Sequence, residues 1–124
     1  MRIWLCIAAV NGALAVLLGA FAAHGLSQAL DAHHLSVFDT GARYHMTHAL
    51  AMGLAALAGR DNPARNLARW AAIAFLTGII LFCGSLYALA LTGIAFAGII
   101  TPFGGLGFIA GWLLLAAAAW KGLR

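Results

Sequence analysis

Arg43-Tyr44-His45-Met46-Thr47-His48 places a guanidinium, a phenol and two imidazoles directly ahead of the apolar run ALAMGLAALAG. His45 and His48, three apart, share one face of a helix, and Tyr44 and His48, four apart, share an adjoining one. With His24 they could offer three imidazoles, the number zinc takes alongside a water at a catalytic site. His24, His45 and His48 are therefore weak metal candidates. HxxH alone lacks the general base that HExxH supplies, and this chain contains no glutamate. Ser85 opposite a histidine from this stretch would resemble a serine–histidine nucleophile pair, although a buried serine in a membrane more often bonds a neighbouring helix. The competing reading is a network of neutral, hydrogen-bonded imidazoles that ties helices together, because a charge is costly in lipid. The aspartates, Asp31, Asp39 and Asp61, fall in loops or at a helix start, which leaves carboxylate-driven proton pumping little to work with.

The elements that must position these groups follow from composition. Of 124 residues, 65% are apolar and 8% charged, against roughly 45–50% and about 25% in a soluble domain. The 15 glycines lie along apolar stretches, as membrane helices allow. Four segments, 3–24, 41–59, 67–91 and 102–120, approach or exceed the ~20 apolar residues needed to cross a hydrocarbon core. The expectation is one all-α domain over residues 1–124, a polytopic antiparallel bundle of four transmembrane helices. Ala20-Phe21-Ala22 resembles a signal-peptide cleavage site, but the preceding apolar run is too long for a signal sequence and His24 to Thr40 too short to begin a secreted domain.

Orientation follows from lysine and arginine. Arg2, Arg60, Arg65, Arg69, Lys121 and Arg124 fall on one side of a four-span chain and Arg43 alone on the other. Both termini are thus expected in the cytoplasm, with the chain in a bacterial inner membrane. Trp4, Trp70 and Trp120 are predicted at that same interface, and Tyr44 and Tyr87 at the outer one. The net charge of +4 is topological information and not a nucleic-acid footprint. Cys6 and Cys83 lie roughly 20 Å apart in depth at 1.5 Å per helical residue, too far for a disulfide, so both read as small apolar fillers.

Arg60-Asp61-Asn62-Pro63 reads as a tight turn between spans two and three. Thr101-Pro102 reads as an N-cap followed by proline in the first turn of span four. In the outer connection 25–40, Leu26, Leu30 and Val37 recur at near-helical spacing, which predicts a short amphipathic helix on the membrane surface. Small residues align on span one (Ala8 and Gly12; Ala15, Gly19 and Ala23) and on span four (Gly107 and Gly111), marking helix contacts within one chain or between chains. By depth, His24, Tyr44, His48, Ser85, Tyr87 and Thr101 converge on the outer leaflet as a candidate binding cluster, while Asn11 stands apart near mid-membrane. Asp39 is placed to pair with Arg43 if the helix begins early.

GALAVLLGAFAAHGL at 12–26, FDTGARYHMTHAL at 38–50, LFCGSLYALAL at 81–91 and ITPFGGLGFIAGW at 100–112 together resemble the bacterial membrane-protein family known as the domain of unknown function 423, with animal relatives called transmembrane protein 256. The resemblance implies a small four-helix membrane protein and carries over no catalytic or binding residue. It also implies glutamine where this chain has His45, which weakens the HxxH reading and leaves Tyr44 and His48 as the expected inward-facing pair.

The sequence thus points to a non-enzymatic partner-binding or accessory subunit in the lipid bilayer, self-associating or part of a larger membrane complex, with no cofactor and no nucleic acid. A small transporter, channel or ligand-binding protein using His24 and His48 is the alternative, and a metal- or Ser/His-dependent membrane enzyme the third reading.

Overall fold

The computed structural model describes residues 1–123; Arg124, counted above among the basic residues, lies outside them. The chain is all-α. Helix α1 runs Arg2–His24, α2 Ala32–Ala58, α3 Arg65–Thr92 and α4 Ala95–Gly122. Three of the four, α1, α3 and α4, are long and apolar enough to cross a membrane. The exception, α2, carries His33, His34, Asp39, Arg43, His45 and His48, and it is the helix that packs against all three others. A helix enclosed by its neighbours can hold polar side chains that lipid would not accept.

Two expectations are corrected here. No separate amphipathic helix forms in the connection 25–40: Leu26–Gln28 make a single 3₁₀ turn, and α2 begins at Ala32. Asp31 sets that start, its carboxylate accepting the His34 backbone N–H at 2.8 Å. Nothing beyond it breaks a helix, so Ala32 to Thr40 is simply the first part of α2. Phe38, only 1% exposed, anchors this part in a cluster with Ala22, Leu26 and Ala90. Likewise Thr101 does not cap α4. The reversal is made by Gly93 in the left-handed region (φ 72°) and Ile94, and the helix resumes at Ala95, placing Pro102 in its interior. An interior proline of this kind is tolerated in membrane helices, where neighbours re-satisfy the freed carbonyl.

The main core joins Met52 and Ala55 of α2, Phe75, Ile79 and Cys83 of α3, and Phe108 of α4. Glycines let α3 and α4 approach: a Cβ on Gly111 would lie 2.6 Å from the Phe75 ring, and one on Gly78 would overlap Phe108. Gly107 and Gly111 therefore serve a contact within the chain. On α1 the buried small residues are Ala8, Ala15 and Ala22, seven apart, whereas Gly12 and Gly19 face open space. Cys83 is the buried filler expected; Cys6 is exposed, and neither forms a disulfide.

Within α3, residues Ile79–Cys83 widen into a π-helical segment. It sits over Gly104, where a Cβ would collide with the Phe82 backbone. Such insertions re-aim the side chains that follow, here Ser85 and Tyr87.

The Arg60–Asp61–Asn62–Pro63 turn forms as expected. Asn62 is buried and locks it, donating to the Ala58 carbonyl at 2.8 Å and accepting from the Ala64 N–H at 2.7 Å. The same amide reaches the Ala118 carbonyl of α4 at 3.4 Å.

Candidate functional site

The inward stripe of α2 is Gly41, His45, His48, Met52 and Ala55, all buried. Tyr44 precedes His45 by about 100° on the helical wheel and lies at the rim, 44% exposed. The expected inward pair, Tyr44 and His48, is thus corrected to His45 and His48, each 4% exposed. Gly41 lies one turn ahead of His45, and its missing side chain makes room for the Tyr87 ring, which a Cβ there would meet at 2.9 Å.

His45 bridges two helices. Its Nε2 lies 2.9 Å from Asn11 Oδ1 and its Nδ1 3.0 Å from the Tyr87 hydroxyl. The proton positions follow by elimination. The Asn11 amide nitrogen donates to the Ile7 carbonyl at 2.9 Å, so the oxygen of that amide faces His45 and can only accept. Nε2 therefore carries the hydrogen, and the bare Nδ1 accepts from the Tyr87 O–H. A continuous chain results: Tyr87 to His45 to Asn11 to the α1 backbone. Asn11, expected to stand apart, is one of its members, and Tyr87 turns inward instead of marking an interface.

His48 forms a second unit. Its Nδ1–H donates to the Tyr44 carbonyl at 2.8 Å, and its Nε2 accepts the Trp112 indole N–H at 3.2 Å. An indole N–H can only donate and a carbonyl only accept, which fixes a neutral imidazole protonated on Nδ1. The ring stacks on Phe108 with centroids 3.5 Å apart and planes 9° from parallel, and Tyr44, Phe75 and Trp112 complete an aromatic surround at about 6 Å.

Ser85 and Thr101 form a third unit between α3 and α4. The Ser85 hydroxyl donates to the Phe82 carbonyl at 2.9 Å and accepts from Thr101 Oγ1 at 2.6 Å. Ser85 is thus tied to a threonine, not to a histidine. His24 does not join any of these units: its side chain is exposed at the end of α1, and only its carbonyl is engaged, by Ser27 Oγ at 3.0 Å.

The predicted set therefore divides. Tyr87 and His48 belong to two separate hydrogen-bonded units, Ser85 and Thr101 to a third, Tyr44 contributes its carbonyl and ring face, and His24 lies outside. His24, His45 and His48 do not assemble a triad, and among the described residues no three His, Cys, Asp or Glu side chains converge in a metal-holding group. Sequence reasoning missed Asn11 as a partner and Trp112 altogether. Trp112 carried a signal, since an indole N–H in lipid needs an acceptor, and buried histidines are the obvious acceptors in this chain.

At the start of α2, Asp31 takes two bonds from His34, from its backbone N–H at 2.8 Å and from ring Nδ1 at 2.7 Å. The backbone N–H first, and then the ring, hold the Asp31 carboxyl below the ordinary aspartate range. Arg43 pairs with Asp39 at 3.3 Å, as the early helix start allows.

Comparison with known proteins gives a consistent picture. The family described as "Protein of unknown function (DUF423)" matches residues 18–105. The UPF0382 membrane protein YwdK of Bacillus subtilis is 41% identical over 98% of this chain and 98% of its own length. A UPF0382 membrane protein of Haemophilus influenzae is 46% identical over 95% of this chain and 94% of its own. The UPF0382 inner membrane protein YgdD of Escherichia coli is 39% identical over 95% and 89%. No solved structure matches.

Proposed function

This chain belongs to the DUF423 family of membrane proteins, and we propose that it acts there as a non-enzymatic, partner-binding accessory subunit whose polar interior is structural. One observation carries this reading. All four ring nitrogens of His45 and His48 are consumed by bonds inside the chain, which leaves neither imidazole a free atom for substrate, metal or transported ion. The inner membrane is its place, as the name of the Escherichia coli relative says of that protein. Both termini face the cytoplasm: Arg2, Arg60, Arg65, Arg69 and Lys121 gather at the end of the bundle that carries them, together with Trp4, Trp70 and Trp120. The partner is another copy or a different membrane protein, reached through exposed apolar faces such as Phe103, Leu106, Ile109 and Leu113 of α4.

The test is photo-crosslinking in native membranes from residues 106, 109 and 113. Covalent adducts to a polypeptide at one or more positions support the subunit reading, and adducts to lipid alone at all three would overturn it. The alternative, a proton- or ligand-conducting path, draws on the Tyr87–His45–Asn11 chain, which crosses three helices. Proton flux into liposomes that is present for the wild type and lost in His45→Phe would move the conclusion there.

A further inference from the structure

At the end of the bundle that carries both termini, Arg2 of α1, Arg60 of the turn, and Arg65 and Arg69 of α3 line a concavity of about 430 Å³. Asp61 is the one carboxylate in its wall, and it lies 3.7 Å from Arg60. Among the described residues no carboxylate pairs with Arg2, Arg65 or Arg69. Three guanidiniums thus face a shared hollow with their charge unanswered. Basic residues near the membrane surface are expected as topology signals, but that rule asks only for a side. It does not require them to converge from three elements around one cavity.

The second observation is apolar. The walls of this hollow include Leu5 and Leu57, and the same two leucines open a groove of about 530 Å³ between α1 and α2. Its floor is Ala8, Gly12, Ala49 and Gly53, and nothing lies within 4 Å of where a Gly12 side chain would be. From Leu57 to Met46 it runs about 16 Å along α2 at 1.5 Å per residue. A positively charged head site therefore leads into a slot lined by aliphatic side chains and bare glycine backbone.

We propose that this composite surface is a binding site for one anionic phospholipid, with the phosphate held by Arg2, Arg65 and Arg69 and an acyl chain lying in the Leu5–Gly12 groove. Charge complementarity selects the occupant. A neighbouring apolar helix would fill the groove and leave the arginines unanswered, whereas an anionic lipid satisfies both parts at once. The site stands apart from the His45 and His48 units and does not depend on the partner-binding reading.

The experiment is native mass spectrometry of the full chain released from mild detergent in the presence of equimolar phosphatidylglycerol and phosphatidylcholine. The wild type is expected to retain one phosphatidylglycerol in clear preference to phosphatidylcholine. Arg65→Gln with Arg69→Gln should lower that preference by about tenfold or more. Gly12→Leu, which fills the groove in open space and alters no charge, should lower retention of the lipid while glycerol phosphate, which lacks acyl chains, binds weakly to every form. Equal retention of the two lipids by the wild type, an unchanged preference in Arg65→Gln with Arg69→Gln, or undiminished lipid retention in Gly12→Leu overturns the proposal. So does glycerol phosphate competing as well as the intact lipid, or a dimer that excludes lipid and is broken by Gly12→Leu. Helix content by circular dichroism confirms that each variant compared is folded.

Discussion

His45 Nε2 donates to Asn11 Oδ1 across 2.9 Å, and this bond joins the one helix that packs chiefly on α2 to the centre of the bundle. The remaining grip on α1 is apolar, through Ala8, Ala15 and Ala22. In lipid, apolar contact between helices gains little from the hydrophobic effect, so a polar bond weighs more in fixing register than its modest energy suggests.

Asn11→Ala should therefore cost about 0.6–1.7 kcal/mol, from the average to the largest value that double-mutant cycles give for such interhelical bonds. His45→Ala should cost more, about 2–4 kcal/mol, because it strands both the Tyr87 hydroxyl and the Asn11 oxygen. His45→Gln should stay within about 1 kcal/mol of wild type, since a carboxamide donates and accepts at once. Reversible unfolding in bicelles or mixed micelles measures all three. A glutamine variant as damaged as the alanine one would mean that the imidazole itself is required.

His48 should respond differently, because much of its contribution is the stack on Phe108. His48→Phe keeps a ring in the aromatic surround but leaves the Trp112 indole without its acceptor, at a cost of about 1–3 kcal/mol. Trp112→Phe leaves His48 Nε2 without its donor, but it keeps a ring at a half-exposed position and spares the His48 stack on Phe108, so it should cost less than His48→Phe. Thermal unfolding of the two single variants and the double variant gives the coupling. A double variant equal to the sum of the singles would show that the 3.2 Å bond contributes nothing.

Asp31 gives a pH dependence outside the membrane. Its carboxyl is held low by the His34 backbone N–H and ring, so the folded group titrates below the unfolded one. The capping bond thus contributes in full above the unfolded value and is lost as pH falls through the folded one. Protection of the His33 to Leu35 amides, the intrinsic exchange rate at each pH divided by the observed one, should fall in that acid window and, in Asp31→Ala, at neutral pH as well. Protection that is independent of pH in the wild type would show that the carboxylate does not hold the helix start.

Much of this architecture is legible in the sequence because apolar runs of spanning length separated by Asn62-Pro63 or by Gly93 leave few alternatives. Asp31 is a legible N-cap for an α2 that starts at Ala32, but the spacing of Leu26, Leu30 and Val37 is a competing signal for a separate helix in the same stretch. The Thr101-Pro102 pair has the form of a helix start, yet in lipid the apolar stretch from Ala95 has no reason to leave the helix, and tertiary context overrides the local signal. Depth along the membrane normal is readable by counting residues; the azimuth of each helix is not. That is why depth alone groups His24, Ser85 and His48, which the structure places in different directions, and why Asn11, at another apparent depth, is nonetheless a partner of His45. The π-helical segment shifts the azimuth of everything after Cys83, and no periodicity rule anticipates it.

The seat of that segment provides the last test. Gly104 and Gly105 are adjacent on α4, but only Gly104 is pressed on the Phe82 backbone; a Cβ on Gly105 would meet the Phe82 ring at an ordinary 3.9 Å. Backbone cannot step aside as a flexible side chain can, so Gly104→Ala must push α3 and α4 apart or unwind the π turn. Overpacking of this kind costs about 1–3 kcal/mol. It should also loosen the Ser85–Thr101 bond, which crosses the same interface at 2.6 Å. Gly105→Ala should be close to neutral and is the control for helix propensity. Equal stability of the two alanine variants, measured by thermal unfolding, would mean that α3 does not rest on Gly104 as described.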